Sequence, residues 1–291
     1  MSRRPTNSDT TRDSAPSDAA ERRTGDPHDP TLAFALREPI RVFACDIDGC
    51  LAPVGHGSYD MTAMARIQSI SRSSEHDPSV PALTLVTGRP QPYVDALLQM
   101  LHVRLPASFE NGAGLCARHP YRSWFVLEVE EGRDVLQRAE RLLADQDDLT
   151  LQLGKAASMS VFAVDSEALP VPALAERLNA WADQHDLPLT IDPSSDCVNL
   201  LLPGVDKVRG LTALCDATDV TPAQVAGIGD SVGDAAWLRR CGVSVAPSGA
   251  RPEARDAVAY ASILPDAHAT LATYLELVRA NRTLGVGPGG T

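Results

Sequence analysis

Apolar residues along this chain fall into short runs separated by amphipathic stretches, and the two periods predict different elements. Positions 41–46, 82–87 and 225–229 are brief apolar runs without a helical repeat, as buried strands are, and Val243-Ser244-Val245 adds a fourth. Positions 61–71, 91–102, 207–217 and 233–240 instead repeat apolar residues at helical spacing. The resulting βαβα rhythm predicts an α/β fold: a doubly wound, Rossmann-like core around a parallel sheet.

The middle of the chain changes pattern. A helix over 132–145, strands over 149–153 and 158–164, a helix over 171–185, and strands over 188–191 and 197–202 give the order αββαββ. Two such units predict a small antiparallel sheet backed by helices, a separate α+β cap inserted into the core. The expected boundaries are 37–113 and 203–280 for the core and 114–202 for the cap. Residues 1–36 hold almost no large apolar side chain, so a disordered tail is expected there, with a second flexible tail over 281–291.

Chemistry enters where the strands end. The first runs into Asp46-Ile47-Asp48-Gly49, and the 225–229 strand into Gly229-Asp230-Ser231-Val232-Gly233-Asp234. In open α/β sheets ligands bind beyond the carboxyl ends of the strands, so both acid pairs converge on one edge. Like charges about 4 Å apart repel by roughly 4 kcal/mol at an effective dielectric near 20, so ionised acids there need a cation or a shared proton. An oxygen-only donor set suits Mg²⁺ better than zinc. Thr87-Gly88-Arg89 ends the 82–87 strand, and Lys207 opens the helix at 207–217. Only two of the 26 basic residues are lysines, Lys155 and Lys207, which makes a point charge at Lys207 stand out.

In this order and strand context, Asp-x-Asp-Gly, Thr-Gly-Arg, Lys and Gly-Asp-x-x-x-Asp resemble the four-motif signature of the haloacid dehalogenase superfamily over residues 40–265. The resemblance implies an aspartyl-phosphate chemistry with Asp46 as nucleophile and Asp48 as acid/base. It further implies phosphate binding by Thr87, Gly88 and Lys207, and a Mg²⁺ site from Asp46, Asp48 (through its backbone carbonyl), Asp230 and Asp234. Cys50 stands where threonine is usual, and Gly233 where asparagine is common. Only 38 positions separate Gly49 from Thr87 whereas 120 separate Thr87 from Lys207, which places the inserted cap in the second slot. That placement, with Glu110-Asn111-Gly112-Ala113 at the first hinge, is similar to the Cof-like branch with type II caps, which includes phosphoglycolate and sugar-phosphate phosphatases and phosphomannomutases.

Asn111 reads as a substrate contact or a turn former, and Arg89 as a phosphate-loop residue or a helix-entry ion pair. On the cap, Lys155 is the leading candidate to face the site, followed by Ser158, Ser160 and Asn199, while Trp124, Trp181 and Trp237 read as core. The expected activity is a phosphatase acting on a small phosphorylated metabolite. A phosphomutase, a receiver-like phosphate-sensing module and a non-catalytic phosphometabolite-binding protein are the alternatives.

Composition narrows the partners. A net charge of −12 argues against nucleic acid and anionic membranes, and the apolar runs are too short to span a bilayer. Arg3-Arg4 precedes no apolar segment, and six cysteines form no Cys-x-x-Cys pair, so a cytoplasmic monomer or homodimer is expected.

Overall fold

β1 (Val42–Cys45) is buried on both sides, and its alternate side chains serve two layers. Phe43 and Cys45 enter one apolar cluster, Val42 and Ala44 another, as the twofold strand period requires. The computed structural model describes residues 28–55 and 57–287; the expected tails at 1–27 and 288–291 lie outside these residues.

After β1 the chain forms α1 (Met61–Ser73), β2 (Ala82–Leu85) and α2 (Gln91–Met100), all at their expected places. β3 (Ala107–Phe109), β4 (Gly114–Arg118) and β5 (Tyr121–Phe125) follow as a three-stranded antiparallel sheet. The cap comprises α3 (Leu127–Leu143), β6 (Leu149–Leu151), β7 (Met159–Ala163), α4 (Val171–Gln184), β8 (Thr190–Pro193) and β9 (Val198–Leu201). The core resumes with α5 (Lys207–Thr218), β10 (Val225–Ile228), α6 (Val232–Leu238), β11 (Val243–Ala246), α7 (Pro252–Arg255), β12 (Tyr260–Ala261) and α8 (Asp266–Thr283).

The core sheet has the order β12-β11-β10-β1-β2 and every pairing in it is parallel, so β1 and β10 are neighbours that end at the same edge. α1 and α8 cover the face that holds Phe43, whose ring lies 5.1 Å from that of Tyr274; α5 and α6 cover the face that holds Val42. The cap sheet runs β6-β7-β9-β8, antiparallel throughout, and buries Met159, Val161, Val198 and Leu200 against α3 and α4. Among the described residues no helix is long and apolar enough to cross a membrane, and all six cysteines are unpaired.

Three expected boundaries move. Leu32 and Phe34 are buried in the core cluster, and Phe34 packs edge-on against Tyr260 at 4.8 Å, so the segment before β1 is part of the fold from about Asp29 onward. The expected cap start at 114 shifts towards Val126, because Leu115, Cys116 and Trp124 pack with core residues while Val126 and Val129 join the cap's cluster, which Ala113 at the hinge also enters. At the other end, fully buried Asn281 donates to the Ile40 and Ser79 carbonyls, so the last turn of α8 belongs to the core instead of a flexible tail.

Candidate active site

The parallel register of β1 with β10 brings the two acid loops into contact. Gly49, in the left-handed region at φ 73°, passes so close to Asp230 that a Cβ there would lie 2.3 Å from its Cγ. Only glycine permits that approach. Oxygens of Asp46, Asp230 and Asp234 lie within 4.8 Å of one another, and all three residues are buried.

Lys207, the first residue of α5 and itself buried, reaches into this cluster. Its Nζ lies 2.9 Å from Asp46 Oδ2 and 2.7 Å from Asp234 Oδ1. Burial alone would weaken the ammonium's hold on its proton, but Asp234 and Asp46 more than reverse this, so Lys207 stays charged. Asp234 is the most heavily hydrogen-bonded acid of the group. Its Oδ1 also accepts from Trp237 Nε1 at 2.8 Å, and its Oδ2 accepts from the Asp230 and Ser231 amides and the Ser231 hydroxyl. Burial raises its carboxyl, but Lys207, Ser231 and Trp237 outweigh that and hold it below the usual range.

The other two acids remain undercompensated. Burial pushes the Asp46 carboxyl well up; Lys207 pulls it back, and the charges of Asp234, Asp230 and Asp48 raise it again. Asp230 is pushed up to about 7, first by burial and then by Asp234. One ammonium does not neutralise three clustered carboxylates, and these oxygens fit a hard divalent cation such as Mg²⁺. With five donors already on Asp234, Asp46 and Asp230 offer the freer lone pairs.

Asp48 points elsewhere. Arg89 grips its carboxylate in a two-pronged pair, Nε to Oδ2 at 2.8 Å and Nη2 to Oδ1 at 2.5 Å, while the guanidinium stacks over Tyr93. Of the two sequence readings of Arg89, the ion pair is the one formed, and its partner is the expected acid/base. Tyr93 in turn shares a 2.6 Å hydrogen bond with Tyr59. Thr87 is fully buried at the tip of the neighbouring strand, and its hydroxyl accepts the Arg89 amide at 3.2 Å. Asn111 lies over Gly88, where a Cβ would come 2.9 Å from Asn111 Oδ1, and its Nδ2 is buried without a partner. Asn111 has a left-handed backbone, as does Glu110 before it.

Glu110 is a site residue that the motifs did not reveal. Its carboxylate is fully buried and accepts from the Ala156 and Ala157 amides and from Ser158 Oγ, all in the cap. Core and cap are thereby joined beside the Thr87–Arg89 turn. Ser158 thus contacts the hinge, whereas half-buried Lys155 lies within electrostatic reach of Glu110, Arg89 and Asp192. Trp237 is core, as expected, yet its indole also holds Asp234. Cys50 is buried with its backbone carbonyl accepting from the Thr270 hydroxyl, and a Cβ at Gly233 would meet nothing nearer than Ser231 Oγ at 3.7 Å.

Residues 164–270 match the family described as haloacid dehalogenase-like hydrolase. Among solved structures, a protein from Thermoplasma acidophilum superposes with a TM-score of 0.65 at 17% identity, covering 84% of this chain and 100% of its own. Over residues 164–270 the chain is similar to haloacid dehalogenase-like hydrolases. A haloacid dehalogenase-like hydrolase from Bacteroides thetaiotaomicron gives a TM-score of 0.60 at 15% identity over 84% and 99% of the two chains. The sucrose-phosphatase of Synechocystis sp., solved with sucrose and phosphate, gives 0.60 at 16% over 82% and 98%. At these identities the likeness establishes the fold that this chain shares with them. No curated protein matches its sequence.

Proposed function

We propose that this chain is a Mg²⁺-dependent phosphatase that cleaves a small phosphoester through an aspartyl-phosphate on Asp46. The observation that carries the reading is the pairing of Asp46 with Lys207 beside Asp230, a buried nucleophile-sized carboxylate with a cation within 2.9 Å. Asp46 Oδ attacks phosphorus, the bond to the ester oxygen breaks, and Asp48 supplies the proton that leaves with the alcohol. Water then attacks phosphorus, the phosphorus–Asp46 bond breaks, and Asp48 takes the water's proton, so free phosphate leaves and both acids are restored. Lys207 and the Thr87 hydroxyl meet the charge on the phosphoryl oxygens.

Asp46, Asp230 and the Asp48 carbonyl would hold the Mg²⁺, with Asp234 positioning Lys207 and the Asp230 loop. The ion supplies charge neutralisation and Lewis acidity at the phosphoryl group. Arg89 holds the Asp48 carboxyl group in place until substrate arrives. The fold shared with a sucrose-phosphatase and a net charge of −12 both support a small metabolite over a nucleic acid as substrate, and the lack of disulfides fits action in the cytoplasm. Phosphate release from an aryl phosphate, with Mg²⁺ and with a chelator, tests the reading. Turnover abolished by the chelator and by Asp46→Asn supports it; turnover that survives Asp46→Asn refutes the nucleophile.

A further inference from the structure

The cap sheet has two unlike faces. One carries Met159, Val161, Val198 and Leu200 into the cap core. On the other, Ser160 of β7, Asn199 of β9 and Asp192 of β8 stand in register on three adjacent strands. Ser160 Oγ donates to Asn199 Oδ1 at 2.6 Å, which turns the Asn199 amide nitrogen towards Asp192 Oδ2 at 3.4 Å. Ser160 and Asn199 are buried and Asp192 is half-buried. Buried polar groups cost stability unless bonded, and an apolar face would serve simple packing better.

This face looks at the core site. Ser158, two residues before Ser160 and so on the same side, donates to Glu110, and Gly154 in the preceding turn approaches Pro90, which follows Arg89. Burial raises the Asp192 carboxyl, and the charges of Lys207 and Asp234 both reach it. Lys155 lies nearby, within electrostatic reach of Glu110 and Asp192.

The geometry points to Asp192 and Asn199, oriented by Ser160, as the groups that bind the alcohol part of the substrate, and to a leaving group with several hydroxyls, a sugar or polyol, in preference to one bearing a carboxylate. A hydroxyl donates to Asp192 and accepts from the second amide hydrogen of Asn199, whereas a substrate carboxylate would meet Asp192 as a like charge. The inference rests on the phosphatase reading above.

The test is kcat/KM for sorbitol 6-phosphate, 2-phosphoglycolate and an aryl phosphate, measured on the full chain and on Asp192→Asn, Asn199→Ala and Ser160→Ala. Wild type should prefer the polyol phosphate to phosphoglycolate. The ratio of polyol to aryl kcat/KM should fall about tenfold or more in Asp192→Asn and Asn199→Ala, chiefly through KM, as for a site built to bond a hydroxyl. Asp192→Asn keeps the side-chain shape, and a ratio is insensitive to partial unfolding. An unchanged ratio in both variants, or better turnover of phosphoglycolate, overturns the inference. Failure of wild type to hydrolyse even the aryl phosphate would instead overturn the phosphatase reading.

Discussion

Arg89 and Asp48 show how a motif residue acquires its role from contacts. The sequence left Arg89 between a phosphate ligand and an ion pair, because the spacing of Thr-Gly-Arg does not reveal which neighbour the side chain meets. Its bidentate grip on Asp48 is a geometry that lysine cannot reproduce. Arg89→Lys is therefore expected to lower kcat on the order of tenfold with little change in KM, as loss of acid/base positioning does; a selective rise in KM would place Arg89 on the phosphate. Asp230 gives a pH test. Its folded pKa, about 7, lies above the ordinary 3.8, so the metal-free fold binds more protons than the unfolded chain across that window. This group therefore costs stability as pH rises through it, and a bound cation removes the cost. The rise in Tm on adding Mg²⁺ should be larger at about pH 8 than at about pH 5.5. Equal rises would exclude Asp230 as a ligand.

Among the elements, the parallel core and αββαββ cap were legible because their apolar periods are strong. Gly132 misled by looking like a helix start: it lies inside α3, where a Cβ would come 2.6 Å from Leu202, so the glycine serves close packing. The hairpin β4–β5 went unread because its exposed positions, including Tyr121 and Arg122, weaken the alternation. The tail assignment failed at Leu32 and Phe34, two apolar residues whose partners Tyr260 and α8 are more than 200 positions away. Phe34→Ala should cost about 3 kcal/mol and lower Tm by several degrees; an unaltered melt would show that the segment adds nothing to the core. Glu110 was illegible for the same reason of distance, since its cap partners follow it by 46 to 48 positions. Glu110→Gln leaves an amide hydrogen facing two backbone donors. Hydrogen exchange at Ala156 and Ala157 should accelerate on that substitution while β1 and β10 stay protected. Uniform acceleration would mean that Glu110 supports the whole fold instead of the cap contact.

For the whole molecule, the acid cluster and the cap belong to one design. The strands of the core deliver Asp46 and Asp230 to one edge, α5 delivers Lys207, and the cap's polar face lies across from them, tied down through Glu110. On the proposed reading, a site with this much negative charge repels a phosphoester dianion until a divalent ion is captured. The most direct test is calorimetric titration of Mg²⁺ into wild type and Asp230→Ala, with phosphate release from an aryl phosphate followed on the same samples. Binding and release should both appear in wild type, and both should be lost in Asp230→Ala. Release that proceeds in wild type without bound Mg²⁺, or that persists in Asp230→Ala, would contradict the account.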